Sequence, residues 1–274
     1  MSISFLIDYI EKIRYNILKI NFREEAFMKK GIGVGIEDFR KIIREGCYYF
    51  DKTNYIEELL KDKTVIKLFT RPRRFGKTLN MSTLKYFFDI KNAEENRKLF
   101  KDLYIEKSEY FKEQGQYPVI FITLKDFKKN TWEEMNFEIK ELLRNLYDEF
   151  NFIRDTLSIS DLREFDKIWL KEEDANYDSS LLNLTKYLYN YYKKEVVLLI
   201  DEYDSPLITA NQRGYYKDSI NFFRNFLSLA LKTNSYLKMG VLTGIVQVAK
   251  EGIFSGLNNV ITYNILGNDF ETFF

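Results

Sequence analysis

Residues 65–78 contain the pattern that decides the fold, and they read Val65-Ile66-Lys67-Leu68-Phe69-Thr70-Arg71-Pro72-Arg73-Arg74-Phe75-Gly76-Lys77-Thr78. The first part predicts a buried strand, a short basic loop follows, and a helical pattern begins after Thr78. A helix that starts directly after a strand presents unpaired backbone N–H groups, which favour a bound phosphate. The segment therefore predicts an anion site at a helix N-terminus in an α/β fold.

Lys77 and Thr78 are the two side chains in this segment that a phosphate site needs. In a P-loop, G-x-x-x-x-G-K-[ST], the lysine reaches the β- and γ-phosphates and the hydroxyl binds Mg²⁺. Gly76, Lys77 and Thr78 match the end of this pattern, but its first glycine would fall where the chain has Arg71. For this motif alone, a basic surface turn remains the alternative.

A second motif farther along the chain reads Val196-Val197-Leu198-Leu199-Ile200-Asp201-Glu202-Tyr203-Asp204. In P-loop NTPases an Asp at the end of such a strand holds the Mg²⁺ shell, and an adjacent Glu can polarise the attacking water. Asp201 and Glu202 fit these two roles. The alternative is that acids mark the place where a strand reaches solvent, but the two motifs together predict a nucleotide site.

Thr243 ends a third apolar run, Leu237–Thr243. In the sheet order that such NTPases use, this strand lies between the two motif strands. We therefore expect Thr243 to face the γ-phosphate and the attacking water as a catalytic residue. The alternative is a threonine that caps the next helix.

Strand-like and helix-like segments alternate along the chain, which predicts an α/β fold with a mostly parallel sheet. The interval between the second and third strands is rich in helical patterns and predicts a helical insertion beside the sheet. The predicted strands cover residues 65–70, 119–124, 196–200, 237–243 and 260–265.

The composition excludes several kinds of chemistry. The 274 residues include no histidine and a single cysteine, Cys47, so Ser/His/Asp catalysis, histidine zinc sites and disulfides between cysteines of this chain are ruled out. Lys and Arg number 42 against 41 Asp and Glu, which gives no overall charge argument for nucleic acid. No apolar run approaches the roughly 20 residues of a membrane helix. These features predict a cytoplasmic protein that does not bind membranes.

Residues 1–27 differ from the chain that follows and are expected to be an N-terminal extension. The codons for Arg23–Phe27 allow a purine-rich ribosome-binding site before Met28. One hypothesis is that Met28 is the true start, so that the domain comprises residues 28–274. The alternative is an ordinary helical extension with an apolar face.

Five short motifs link the chain to a known family. They read Gly35-Ile36-Glu37-Asp38-Phe39, Tyr49-Phe50-Asp51-Lys52-Thr53, Thr70-Arg71-Pro72-Arg73-Arg74-Phe75-Gly76-Lys77-Thr78-Leu79, Leu198-Leu199-Ile200-Asp201-Glu202-Tyr203-Asp204-Ser205-Pro206 and Phe254-Ser255-Gly256-Leu257-Asn258-Asn259. From about Lys30 onward, these motifs resemble the bacterial AAA-ATPase-like domain family. The resemblance implies a P-loop NTPase fold with three layers, α/β/α.

The resemblance also changes how the phosphate loop is interpreted. R-P-R-R-F-G-K-[ST] is typical of the family, so an arginine at position 71 is expected there, and Arg73 and Arg74 add positive charge beside the phosphates. The residues expected to bind the nucleotide are Arg71, Arg73, Arg74, Phe75, Gly76, Lys77, Thr78 and Leu79.

Two departures from the family pattern concern catalysis and domain content. Relatives often carry a basic residue where this chain has Gln247, and Lys250 or Arg224 are the candidates to replace it. Such an arginine is worth about 10³–10⁵ in rate. Family members commonly continue into a PD-(D/E)XK nuclease-like domain, which this chain is expected to lack, because its E-x-K at Glu138–Lys140 fits a solvated helix face.

The sequence therefore predicts an ATP-binding, Mg²⁺-dependent P-loop domain. Lys77 would contact the phosphates, Thr78 and Asp201 the metal, and Glu202 the water. The alternative is a nucleotide-sensing module that hydrolyses little and regulates a partner or a lost nuclease domain. A protein partner or a homo-oligomer is expected in either case. A small-molecule kinase fits less well, because the Asp-Glu pair suits water activation, and nucleic acid binding rests on family analogy alone.

Overall fold

The computed structural model describes residues 31–246 and 260–264. Its sheet has five strands in the order β2-β3-β4-β1-β5, and all described pairings are parallel. The predicted α/β class, the mostly parallel sheet and all five strands are confirmed. The strands are β1 (Ile66–Thr70), β2 (Val119–Thr123), β3 (Val196–Asp201), β4 (Leu237–Gly244) and β5 (Val260–Tyr263).

Nine α-helices and five 3₁₀ segments lie within the described part of the chain. The α-helices are α1 (Phe39–Arg44), α2 (Asn54–Lys61), α3 (Lys77–Phe88), α4 (Ala93–Arg97), α5 (Trp132–Glu149), α6 (Ile159–Trp169), α7 (Ser180–Tyr192), α8 (Ser205–Arg213) and α9 (Tyr216–Leu231). The 3₁₀ segments are Lys98–Phe100, Tyr104–Lys107, Glu109–Glu113, Asn151–Thr156 and Tyr177–Ser179.

Two hydrophobic cores cover the two faces of the sheet. Successive side chains of a strand point to opposite faces, so Leu198 and Ile200 join the core formed with α5–α9, whereas Val197 and Leu199 join the core formed with α1–α3. Every residue of β3 is buried for this reason, which explains why the strand reads as a continuous apolar run. The result is the expected three-layer architecture, with the helical insertion α5–α7 in one outer layer.

β4 lies between the two strands that carry the nucleotide motifs, as the sequence predicts. Leu242 pairs with Leu68 of β1 and with Ile200 of β3. The carboxyl ends of β1, β3 and β4 therefore meet at one edge of the sheet, where ligands bind in open parallel sheets.

Some predictions concern residues outside the described part of the chain. These are the extension 1–27 with the Met28 start, the Phe254–Asn259 motif, and the charge candidates Gln247 and Lys250. In the residues that the structure covers, none of the helices combines the length and apolar character that membrane crossing requires.

Candidate nucleotide-binding site

The phosphate loop occupies the six residues between β1 and α3. Gly76 precedes the helix with φ +74°, a left-handed conformation that glycine adopts without steric cost. Arg74 also has a positive φ, +68°, whereas Arg71 does not. Position 71 therefore does not require glycine for its backbone conformation, which accounts for the arginine in this version of the loop.

Lys77 is held against its own loop at the first position of α3. Its Nζ donates to the carbonyl oxygens of Arg71, at 3.0 Å, and Pro72, at 2.9 Å. The residue is only 5% exposed, and this burial lowers the pKa of its ammonium while the charges of Glu202 and Asp201 act in the opposite direction. An incoming phosphate can replace the two carbonyl acceptors with a full negative charge.

The Asp201 carboxylate joins the phosphate loop to the ends of β3 and β4. Thr78 Oγ1 donates to Asp201 Oδ2 at 2.8 Å, and Thr243 Oγ1 donates to Asp201 Oδ1. Asp201 is fully buried. The structure thus brings together the two residues predicted to contact the metal, although 123 positions separate them in the sequence.

The oxygen atoms of Thr78 and Asp201 suit Mg²⁺. This ion usually uses one or two protein carboxylates and completes its shell with phosphate oxygens and water. Within residues 31–246 and 260–264, no group of three or more His, Cys, Asp or Glu side chains could hold a metal ion. A hydroxyl beside one carboxylate fits an ion that arrives together with a nucleotide.

Glu202 lies next to Asp201 in a strained conformation. Its φ is +53°, which costs a non-glycine residue roughly 1–2 kcal/mol. Its side chain is half-buried and lines a cavity. Burial, and then the charge of Asp201, raise the pKa of the Glu202 carboxyl. A carboxylate with a raised pKa at the mouth of a phosphate loop can accept a proton from water.

The sequence predicts that Thr243 faces the γ-phosphate, but in the structure Thr243 does not line the cavity. It is fully buried, its hydroxyl donates to Asp201, and the same oxygen accepts the Glu202 N–H at 3.3 Å. The single hydroxyl of Thr243 therefore forms hydrogen bonds with both acidic residues, and it positions them from the buried side of the sheet edge.

Besides Thr243, the predicted site residues that do not line this cavity are Asp201, which is fully buried behind Thr78, Arg71 and Phe75. The Arg71 guanidinium is buried and donates to the carbonyl oxygens of Thr70, at 3.0 Å, and Tyr263, at 2.8 Å. It joins β1 to β5 instead of pointing towards a phosphate. The Phe75 side chain is 41% exposed and does not line the cavity. Arg224 lies on α9, away from the cavity lining.

The cavity has a volume of about 760 Å³, within the range of roughly 300–1,000 Å³ for small-molecule sites. The predicted residues on its wall are Arg73, Arg74, Gly76, Lys77, Thr78, Leu79 and Glu202. Further lining comes from the segment before α1, the loop after β2, and α8. The cationic lining residues are Arg73, Arg74, Lys77, Lys125, Lys128 and Arg213, against three acids, Glu37, Glu202 and Asp204.

Sequence reasoning assigned no role to Glu37, Lys125, Lys128 or Asp204. Asp204 is almost fully buried, and its Oδ2 accepts the N–H groups of Ile245, at 2.8 Å, and Val246, at 2.9 Å. These bonds attach the turn after β3 to the end of β4. The signal that could have found Lys125 is its place directly after a predicted strand, at the same sheet edge as Asp201.

Comparison with known proteins identifies the family of the chain. The family model described as "Predicted AAA-ATPase" matches residues 33–254. The chain belongs to this family. Membership indicates a nucleotide-binding domain. The chain is also similar to a curated protein of Azotobacter chroococcum mcd 1, "Uncharacterized protein in vnfD 5'region", with 28% identity over 235 residues.

The matched region covers 85% of this chain and 40% of the Azotobacter protein. The chain thus corresponds to well under two thirds of that relative's length. No solved structure matches the chain significantly.

Proposed function

We propose that this AAA-ATPase-family domain binds ATP together with Mg²⁺ and hydrolyses it. The observation that carries the proposal is the 2.8 Å bond between Thr78 and Asp201, because it joins the phosphate loop to the strand that ends in Glu202. Nucleotide binding follows from the family and the loop. Hydrolysis and metal dependence are inferences from this arrangement of side chains.

The proposed mechanism needs few chemical groups. Mg²⁺, held by Thr78 and Asp201, would neutralise phosphate charge. Lys77, Arg73 and Arg74 would bind the phosphate oxygens through charge-assisted hydrogen bonds. Phosphoryl transfer depends mainly on such positioning and charge neutralisation.

Glu202 would orient the attacking water and accept its proton. The raised pKa of its carboxyl makes it a stronger base than an ordinary glutamate. Thr243 would keep Glu202 and Asp201 in register through its two hydrogen bonds. None of these roles requires a histidine.

Two substitutions separate binding from turnover. We expect Lys77→Ala to abolish ATP binding, because it removes the buried ammonium from the loop. Glu202→Gln is expected to preserve ATP binding and to lower hydrolysis about 10²–10⁴-fold. Calorimetry with Mg-ATP and single-turnover phosphate release measure the two effects.

Lys61→Ala is the control, since Lys61 forms a surface ion pair with Glu57 on α2, away from the cavity. It should match the parent in both assays. If Lys77→Ala binds ATP as tightly as the parent, the assignment of the phosphate site is wrong.

A nucleotide-sensing module with little turnover is the second candidate. One observation favours it: the buried Arg71 guanidinium is directed to β5 and adds no charge at the phosphates. Single-turnover hydrolysis at saturating ATP distinguishes the two, because a sensing module would release almost no phosphate.

Partners and location are proposed only by class. We propose a protein partner or a second copy of the chain, a cytoplasmic location, and residues 28–274 as one domain. Nucleic acid is a third class by analogy. Titration of a fluorescent duplex at increasing salt tests it, since phosphate contacts weaken steeply with salt. Absence of binding at low salt would exclude it.

A further inference from the structure

Lys125 follows the carboxyl end of β2, next to the end of β3 that carries Asp201 and Glu202. Thr123 pairs with Asp201, and the Leu124 N–H donates to the Asp201 carbonyl oxygen at 2.9 Å. Lys125 is the next residue, and it lines the same cavity as Lys77 and Glu202. The sheet therefore fixes the start of this side chain next to the proposed site of hydrolysis.

The Lys125 ammonium is held by a single carboxylate. Its Nζ lies 2.7 Å from Glu37 Oε1 and 2.6 Å from Oε2. The hydrogen bond to Glu37 raises the pKa of Lys125, and the charge of Glu202 acts in the same direction. The ammonium is thus fully charged at neutral pH and lies in the field of both acids.

A phosphate can replace Glu37 as the partner of Lys125 at a low cost in free energy. The side chains of Lys125 and Glu37 are 38% and 52% exposed, and solvent-exposed ion pairs contribute little to stability. A terminal phosphate carries more negative charge than one carboxylate and offers several acceptor oxygens. In the basic cavity it would be the stronger partner for Lys125.

We propose that Lys125 binds the terminal phosphate of the nucleotide and that Glu37 competes with this phosphate for the ammonium. The inference rests on the proposed ATP site and adds a γ-phosphate ligand from β2. ATP takes Lys125 away from Glu37, whereas ADP, which lacks that phosphate, leaves the pair intact.

The exchange links the nucleotide to the segment that precedes α1. Glu37 is followed by Asp38, whose side chain accepts the Lys41 N–H at 2.8 Å and so caps α1, and also accepts the Tyr86 hydroxyl of α3 at 2.7 Å. Release of Glu37 therefore frees one of the contacts that hold this segment over the cavity. The segment would report whether the γ-phosphate is present.

The test compares the affinities for ADP and for the β,γ-imido analogue of ATP, both with Mg²⁺, by calorimetry. We expect Lys125→Ala to weaken the analogue about 10- to 100-fold, the usual cost of a lost hydrogen bond to a charged group, and to leave ADP within about twofold. Lys125→Arg should recover much of the difference.

Glu37→Gln should act in the opposite direction. Removing the competitor is expected to tighten the analogue about two- to fivefold relative to ADP, as the small energy of an exposed ion pair allows. A lysine with a purely structural role would not produce this opposite change. If Lys125→Ala does not fold, Glu37→Gln decides the question alone.

Lys129→Ala is the matched control. Lys129 lies in the same loop and pairs with Glu138 at 2.9 Å, but it does not line the cavity. Equal changes for both nucleotides, or none, in Lys125→Ala would overturn the role of Lys125 while the ATP site stands. A parent protein that binds neither nucleotide would overturn the proposed function itself, and this inference with it.

Discussion

Thr243 uses one hydroxyl for two neighbours. It donates to Asp201 and accepts the backbone N–H of Glu202, and Thr243 and Asp201 are both fully buried. A buried acceptor or donor that loses its partner costs about 1–3 kcal/mol. The residue therefore matters for the geometry of the acids and does not need to contact the nucleotide.

Thr243→Val tests this positioning role. Valine keeps the volume and shape but lacks the hydroxyl, so both partners lose a hydrogen bond. We expect hydrolysis to fall about tenfold or more, because a tenfold change in rate corresponds to about 1.4 kcal/mol, which is within the cost of one lost buried hydrogen bond. The affinity for Mg-ATP should change less than about twofold. Steady-state kinetics and calorimetry give the two numbers.

Thr243→Ser is the companion variant, because it restores the hydroxyl and should recover most of the rate. Loss of ATP affinity in Thr243→Val, at unchanged stability, would instead favour the direct contact with the γ-phosphate that the sequence predicts.

Among the elements, the turn from β3 to α8 is joined to the end of β4 by several contacts. The Tyr203 hydroxyl donates to the Val246 carbonyl oxygen at 2.9 Å, and Asp204 accepts two amides from the same segment. Gly244 lies between them. A Cβ built there would be 2.6 Å from Tyr203 Cε1 and 2.9 Å from Asp204 Oδ1.

Gly244→Ala is therefore expected to destabilise the fold. Neither neighbour can move without breaking a hydrogen bond to residues 245 and 246, and overpacking of this kind costs about 1–3 kcal/mol. Urea denaturation measures the loss. Gly31→Ala is the control, since no atom lies within 4 Å of its added Cβ. Equal midpoints for the two variants would show that the turn tolerates a methyl group.

The end of α3 carries a titrating group. Asp89 follows the helix, its Oδ1 accepts the Lys91 N–H at 2.9 Å, and burial raises its pKa to about 6 from 3.8. The folded protein thus binds this proton more tightly than the unfolded chain. The contribution of this tighter proton binding to the free energy of unfolding is fully present below about pH 4 and is lost as the pH rises through 6.

Asp89→Asn should remove this dependence while retaining the acceptor oxygen. The stability of the variant relative to the parent is expected to increase between pH 4 and 6, by up to about 1.4 kcal/mol per pH unit, and to level off above that range. Chemical denaturation across this range measures it. A difference that stays constant with pH would refute the assignment.

At the scale of the whole molecule, the strands were predictable and the short helices were not. β3 and its neighbours are covered on both faces, so their burial is visible as apolar runs in the sequence. The 3₁₀ segments around Phe100 and Phe111 depend on packing against Phe87. Each of these segments has only three to five residues, which is too few to show a hydrophobic period, and the contacts that stabilise them come from residues distant in the sequence.

The site was predictable where chemistry follows from residue type. Lys77, Thr78, Asp201 and Glu202 meet because β1, which leads into the phosphate loop, and β3, which ends in Asp201, reach the same edge of the sheet. The role of Arg71 was not predictable, because a loop motif does not specify where a side chain points.

Lys125 was missed for a different reason. Its partner Glu37 lies 88 positions earlier in the chain, so the pair becomes visible only when both segments are brought to the same cavity. Neither residue stands out in the sequence, because each has a charge that is ordinary for a surface loop.

The Arg71 bridge has a mechanical consequence. Its guanidinium donates to the carbonyl oxygen of Tyr263, the last residue of β5, while its own carbonyl oxygen accepts a hydrogen bond from Lys77. A single residue therefore connects an edge strand to that lysine. A displacement of Tyr263 would therefore move Arg71, and Arg71 would in turn move Lys77. The following chain, or a molecule bound at the β5 edge of the sheet, could cause such a displacement.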